Sequence, residues 1–321
     1  MPTPPMITMT DVEEAAERVG GRVRRTPVVE VEPDALGTPA SALLKLELLQ
    51  HTGSFKPRGI FNRILSARAD AKAHGVIAAS GGNAGLAVAY AAEQLGLHAE
   101  IFVPVSASPV KLARLRTLGA VVNVTGAHYA DAFAASQERA ATTGALVVHA
   151  YDQPEVAAGQ GTLARELLEQ APAVDTVLVA VGGGGLIAGV ATWLRGRARV
   201  VAVEPERCPT MAAALERGEP VDVEVGGIAI DSLGARKVSD TALRACQRAG
   251  AVSVLVSDEA IAAARLRLWE RLRVAAEPGG ACAVAALSCG AYRPAPGERV
   301  AAIVCGGNTD PADLEPRPEP R

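Results

Sequence analysis

Residues 176–194 read TVLVAVGGGGLIAGVATWL, nineteen residues without a charge. That length just reaches what a membrane-spanning helix needs. Four glycines, Gly182, Gly183, Gly184 and Gly185, sit at its middle, and each costs roughly 1 kcal/mol in a helix interior relative to Ala. The stretch therefore reads as a strand over 176–181, a glycine loop, and a helix over 186–194, which argues against a membrane span. Glycines let the backbone approach a ligand closely. Their N–H groups and the helix N-terminus favour an anion, and a phosphate is the natural guest. The same segment satisfies a second pattern. Gly183, Gly185 and Ala188 fit G-x-G-x-x-A, and Glu204 lies nineteen residues past Gly185 at the end of the next strand, as a dinucleotide site would place it. On this segment alone a phosphate cradle, an NAD-dependent oxidoreductase and a plain tight turn all stand.

Outward from here a rhythm runs in both directions. Apolar runs at 42–47, 75–80, 99–104, 120–124, 145–150, 199–203, 251–256 and 299–304 read as strands. Helices are expected over 84–95, from Pro109 to about 118 with Ser108 as N-cap, on to about 142, and over 154–169, 258–272 and 279–289. Thr10 and Glu13 fit a capping box opening the first helix. Strands alternating with helices of roughly 10–15 residues mark βαβ units and parallel sheets. Glycines gather where three strands end, at Gly81, Gly82 and Gly85, at 182–185, and at Gly306 and Gly307. Ligands of open α/β sheets sit outside such ends, so the three loops point to one cleft.

Composition narrows the class. A chain of 321 residues is about two domains at ~100–200 residues each. Lys plus Arg is 32 against 35 Asp plus Glu, a net charge of −3, so there is no basic excess to hold nucleic acid. With 49% apolar and 21% charged residues the chain is globular, and with 3% aromatics its core is aliphatic. Five cysteines without a CxxC spacing, and five histidines without HExxH, form neither a disulfide framework nor a zinc site. The N-terminus lacks a basic and apolar leader pattern, and a reduced cytoplasmic location is expected. The 315–321 tail, EPRPEPR, is expected to be disordered.

Two further loops carry candidate chemistry. Lys56 lies in HTGSFKPRG (51–59), between the Phe55 ring and a helix start at Pro57. Desolvation there would lower its pKa and make the amine a nucleophile or base; a solvated loop lysine is the plainer reading. Ser80, Gly81, Asn83, Ala84 and Gly85 follow a strand and open a helix, a second anion cradle with a side-chain donor in Asn83, or an ordinary N-cap.

Taken together, LKLELLQHTGSFKPRG (44–59), SGGNAG (80–85), AGQGT (158–162), GGGGLIAG (182–189), VEP (203–205), EPGGA (277–281) and CGGN (305–308) resemble, in family order, the threonine/serine dehydratase family. These are pyridoxal-phosphate enzymes of the tryptophan-synthase-β fold type (fold type II). The resemblance implies two parallel-sheet α/β domains with the active-site cleft between them. Residues 1–48 and 148–321 would form the large cofactor-binding domain and 49–147 a small mobile one. It makes Lys56 the covalent attachment point of pyridoxal 5'-phosphate and the base that takes the α-proton. Phe55 would pack beside the pyridine, Asn83 would donate to the phenolic oxygen, Gly182–Gly185 with the Leu186 amide would hold the phosphate, and Cys305 would face the pyridine nitrogen and leave it unprotonated. Ser80, Gly81, Asn83 and Ala84 would hold the substrate carboxylate. Tyr151 would line the pocket and set its size, although it also reads as a strand-end cap. The implied reaction converts a small β-hydroxy amino acid to a 2-oxo acid and ammonia, in a homodimer.

Departures from the family pattern sharpen this. Racemising members carry a serine at the position of Gly81, so racemisation is not expected. A family histidine is Ala84 here, and a family aspartate is Gly226, beside Gly227. Metal-dependent relatives pair the glutamate matching Glu204 with a carboxylate six residues on, where this chain has Thr210; one carboxylate is a poor Mg²⁺ or Ca²⁺ site, and no metal is expected. The chain ends soon after CGGN, so a C-terminal isoleucine-sensing domain is not expected. A β-replacement enzyme such as a cysteine synthase matches less well, because its lysine motif differs. The NAD reading leaves Lys56 and CGGN without a role, as does a silent binding protein.

Overall fold

The computed structural model describes residues 6–314, so the EPRPEPR tail lies outside the described residues. Strands β1 (Val28–Val31), β2 (Ala42–Lys45), β3 (Val76–Ala79), β4 (Ala99–Val103), β5 (Val121–Val124), β6 (Leu146–Val147), β7 (Thr176–Ala180), β8 (Arg199–Pro205), β9 (Val252–Val256) and β10 (Val300–Ile303) form two sheets. One is six-stranded, in the order β1-β2-β10-β7-β8-β9, and the other four-stranded, in the order β5-β4-β3-β6. Every pairing is parallel except β1 with β2. That antiparallel edge strand, VVEV after Pro27, is absent from the sequence reading because four half-polar residues carry too little pattern.

The helices are α1 (Met9–Val19), α2 (Lys56–Ser66), α3 (Ala69–Ala73), α4 (Asn83–Leu95), α5 (Pro109–Thr117), α6 (Tyr129–Thr143), α7 (Pro154–Gln170), α8 (Gly185–Leu194), α9 (Thr210–Arg217), α10 (Ile230–Leu233), α11 (Asp240–Ala249), α12 (Asp258–Leu272) and α13 (Pro278–Ser288). The 176–194 stretch divides into β7 and α8. No helix among the described residues is long and apolar enough to cross a membrane. Two local expectations are corrected. The first helix is capped by Thr8 with Asp11, not by Thr10 with Glu13. This frame places Ile7 and Val12 one residue before the cap and four after it, and both are buried, a hydrophobic staple that the later frame would lose. The strand expected over 145–150 is only two residues long. The His149 Nδ1 accepts from the amides of Tyr151 and Asp152 and turns the chain there.

β7 and β10 are buried at every position, as parallel strands covered on both faces must be. α7 and α8 cross at two glycines: a Cβ on Gly189 would lie 2.2 Å from the Ala157 carbonyl oxygen and 2.8 Å from the Gly161 Cα. The six-stranded sheet has its own aliphatic core, and a second core of Ile60, Phe61, Ile64, Leu86, Ile101 and others serves the four-stranded sheet. α1 joins the two, with Val12 and Ala15 in the first core and Val19 in the second.

A buried ionic cluster fixes the start of α2. Arg58, 1% exposed, donates through Nε and Nη2 to the two oxygens of Glu47, each at 2.7 Å, and its Nη2 lies 3.1 Å from Glu166. Lys45 completes the set, with Nζ bonded to Glu166, Gln170 and the Thr26 carbonyl. Burial would push the Glu47 carboxyl up, but the Arg58 guanidinium holds it below its ordinary value. Two cations face two carboxylates, so removing one charge strands another in a dry interior. Glu47→Gln is expected to lower the unfolding free energy by about 3–5 kcal/mol, measured by urea denaturation; an unchanged midpoint would refute the cluster's role.

Candidate active site

The ends of β3, β7 and β10 meet at Lys56, the first residue of α2. Its Nζ donates to the Ala150 carbonyl at 2.8 Å and stands 5.0 Å from the centre of the Phe55 ring. Burial pulls the amine down to about 8, against the opposing pull of the Cys305 and Glu277 charges. Near neutrality a usable fraction is therefore the free amine, which a solvated lysine is not.

The next residue after Ala150 brings the glycine loop to this amine. The Tyr151 ring lies flat on Gly183, where an added Cβ would come within 2.4 Å of its ring carbons, and Tyr151 also packs on Gly185. Gly184 has φ +91, and a Cβ there would meet Ala242 and Val238. Among the described residues, nothing accepts from the amides of Gly183, Gly184, Gly185 or Leu186. These donors stand at the N-terminus of α8 with their partner still to come, and a phosphate suits them. Burial pushes the Tyr151 phenol up to about 12, which keeps it neutral.

The loop after β3 closes the other side. Ser80 Oγ accepts from the Gly82 amide at 3.3 Å, and Gly81 faces Val103 and Ala107. Asn83 points its Nδ2 at Glu277 Oε1, 2.6 Å away, and Ala84 is buried. Cys305 arrives from β10: its carbonyl accepts from the Phe55 amide and its thiol donates to the Gly279 carbonyl at 3.4 Å. Burial and the Glu277 charge push that thiol up to about 12, so it stays neutral and cannot be the acid that protonates a pyridine nitrogen.

Lys56, Phe55, Asn83, the glycine loop, Tyr151 and Cys305 are thus brought around one space. Glu204 is not among them. It is fully buried and accepts four hydrogen bonds, from Thr210 Oγ1 and the Met211 amide on one oxygen and from the Ala212 amide and Ser253 Oγ on the other. It caps α9, and Thr210 in turn donates to the Gly182 carbonyl at 2.7 Å. A ribose hydroxyl has no access to it, which removes the acidic residue of the dinucleotide reading. Sequence reasoning gave no role to Glu277 or Asn308. Burial pushes Glu277 up to about 7, moderated by the Asn83 bond and the Lys56 charge. The available signal was a lone carboxylate between Ala-Ala and Pro-Gly-Gly at a helix start.

Comparison with known proteins agrees with this chemistry. Residues 19–306 match the family described as pyridoxal-phosphate dependent enzymes, and the chain belongs to that family. It is 37% identical over 308 residues to the L-threonine ammonia-lyase of Thermotoga maritima, covering 95% of this chain and 76% of that protein. It is 39% identical over 294 residues to the phenylserine dehydratase of Ralstonia pickettii, covering 90% of each. Among solved structures, maize serine racemase superposes with a TM-score of 0.90 at 31% identity, over 97% of this chain and 96% of that one. A bacterial threonine deaminase (T.th.) superposes with a TM-score of 0.86 at 33% identity, over 95% and 99%. The cofactor is pyridoxal phosphate.

The attachment reaction needs the free amine. Uptake of pyridoxal phosphate by the apoprotein is expected to accelerate as pH rises, with a midpoint about 8. A midpoint near that of a solvated lysine, measured by stopped-flow absorption, would show that the amine is not desolvated.

Proposed function

We propose that this protein is an ammonia-lyase of the dehydratase type, which converts L-threonine or L-serine to a 2-oxo acid and ammonia. The observation that carries this reading is the enclosed Lys56 amine, facing the open amides of 183–186 across from the 80–85 loop. The relatives named for threonine add to it. The backbone of Ser80, Gly81 and Ala84 would hold the substrate carboxylate, with the glycine-loop amides and Leu186 on the cofactor phosphate. The Lys56 amine removes the proton at Cα. The bound cofactor supplies an electron sink for the charge left there. The β-hydroxyl departs as water, and a second water is consumed when nitrogen leaves as ammonia, so the balance is one 2-oxo acid and one ammonia. The 49–147 segment is proposed to move as a unit over the substrate and exclude water; a homodimer is expected from the family likeness.

Gly81 offers no second base, and the groups nearest its Cβ position, Val103 and Ala107, are apolar. This supports elimination without racemisation, despite the likeness to serine racemase. The four donors around Glu204 leave it no lone pair for a cation, and added Mg²⁺ or a chelator is expected to leave the rate unchanged.

One observation favours a second substrate. In a chain with eight Phe and Tyr in all, a ladder of rings runs outward from the glycine loop. Tyr151 meets His149 edge-on, His149 meets Phe133 edge-on, and Phe133 stacks on Tyr129. A β-aryl side chain would find partners along it, and one relative is named for phenylserine. Purified enzyme offered L-threonine, L-serine and phenylserine is expected to release 2-oxo acid and ammonia in equal amounts from at least one of them. Lys56→Ala should abolish that release. Product from the variant at the wild-type rate would sink the assignment, and bound cofactor with no elimination product from any of the three would favour β-replacement.

A further inference from the structure

Asn83 serves the cofactor's phenolic oxygen only through its Nδ2 edge, because the other edge of its amide is an acceptor. Resting on that proposed contact, we infer that Asn308 is a positioning residue which sets the sense of the Asn83 amide, and that Arg114 on α5 is the outer anchor of the same hydrogen-bond chain.

Every link of the chain is in place. Arg114 Nη2 donates to Asn308 Oδ1 at 2.7 Å. Asn308 Nδ2 donates to the Thr52 carbonyl at 2.8 Å and to Asn83 Oδ1 at 2.7 Å. Asn83 Nδ2 donates inward to Glu277 at 2.6 Å. A carboxamide fits its site in two senses, whereas a guanidinium only donates and a peptide carbonyl only accepts. Arg114 and Thr52 therefore fix Asn308 from two sides. The second N–H of Asn308 then holds Asn83 Oδ1 outward and leaves Nδ2 facing the site. The Thr52 carbonyl is itself held in an unusual direction: Thr52 has φ +62, rare for a β-branched residue.

The inner end of the chain is no such fixed point. Glu277 is faced by Lys56 from α2, Cys305 from the β10 loop, Arg265 from α12 and Asp231 from α10. Its carboxyl sits near 7, so around neutrality it exists both as an acceptor and as a protonated donor. Left to Glu277, the Asn83 amide would turn over with pH. Held by Asn308, it keeps its donor edge inward in both forms. The anchor lies on a helix that also bridges the cleft, since Lys111, one turn before Arg114, pairs with Asp231 at 3.0 Å.

The test titrates pyridoxal phosphate into apoprotein across pH 6–8, a window of about one unit on either side of Glu277, and reads bound cofactor by visible absorption. Wild type, Asn308→Asp, Asn83→Ala and the double variant are compared. Asn308→Asp replaces the outward donor with an acceptor, which draws Asn83 Nδ2 away from the site. Its dissociation constant is expected to rise roughly two- to tenfold, the worth of one neutral hydrogen bond. The rise should be largest where Glu277 is protonated and able to donate to the inverted amide, and should shrink as pH increases and the carboxylate pulls Nδ2 back inward. In the Asn83→Ala background the same substitution should add nothing. An unchanged constant, a pH-independent ratio to wild type, or full additivity with Asn83→Ala overturns the inference. If Asn308→Asp does not fold, Arg114→Ala at the exposed end must raise the constant in the same direction and lose that effect beside Asn83→Ala; no rise overturns it. A wild-type protein that takes up no pyridoxal phosphate fails the cofactor reading itself, whereas normal wild-type uptake with an unaffected Asn308→Asp fails only the present inference.

Discussion

The two-pronged bond from Arg58 to Glu47 lies deep between α2, the β2 strand end and α7. Residues two apart on a helix point about 200° away from each other. The guanidinium therefore grips the sheet side of the first turn of α2 while Lys56, two residues earlier, faces the cleft. An uncompensated ion here would be expensive, but a completed cluster of two cations and two carboxylates leaves none over. Hydrophobic packing alone could let α2 slide along its axis. Paired, directional charges cannot be satisfied in a shifted register, and the position of the reactive amine follows from that.

Much of the fold was legible because burial on both faces writes itself as unbroken apolar runs. β3, β4, β7 and β10 announce themselves this way. β1 is short and half-polar, and α9 and α10 have too few turns to show a period. α11 was readable and went unread: Ser239 caps its start and Gly250 its end. The site residues within one loop, such as Lys56 and the glycines 182–185, could be found from local chemistry plus the order of seven motifs. Glu277 and Asn308 could not be given roles in that way. Their meaning lies in bonds to Asn83, Thr52 and Arg114, segments that only the folded chain brings together.

Glu204 shows how one pattern serves two ends. A carboxylate at the tip of the strand after a glycine loop is what a ribose would require, and also what the open amides of a following helix require. Nothing within the 183–204 segment separates these uses. Thr210 does, because its hydroxyl joins Glu204 to the Gly182 carbonyl. The acid thus braces the phosphate loop from behind and never touches its guest.

The scarcity of aromatic rings has an optical consequence. The chain holds two tryptophans. One of them, Trp193, is buried in α8 with the Arg197 guanidinium 4.5 Å from its ring. It lies eight residues along that helix from Gly185, an axial rise of about 12 Å. The helix that would receive the phosphate at one end thus carries an indole near the other. Resonance energy transfer from that indole to a bound chromophore makes the intrinsic fluorescence of this protein a direct gauge of cofactor occupancy.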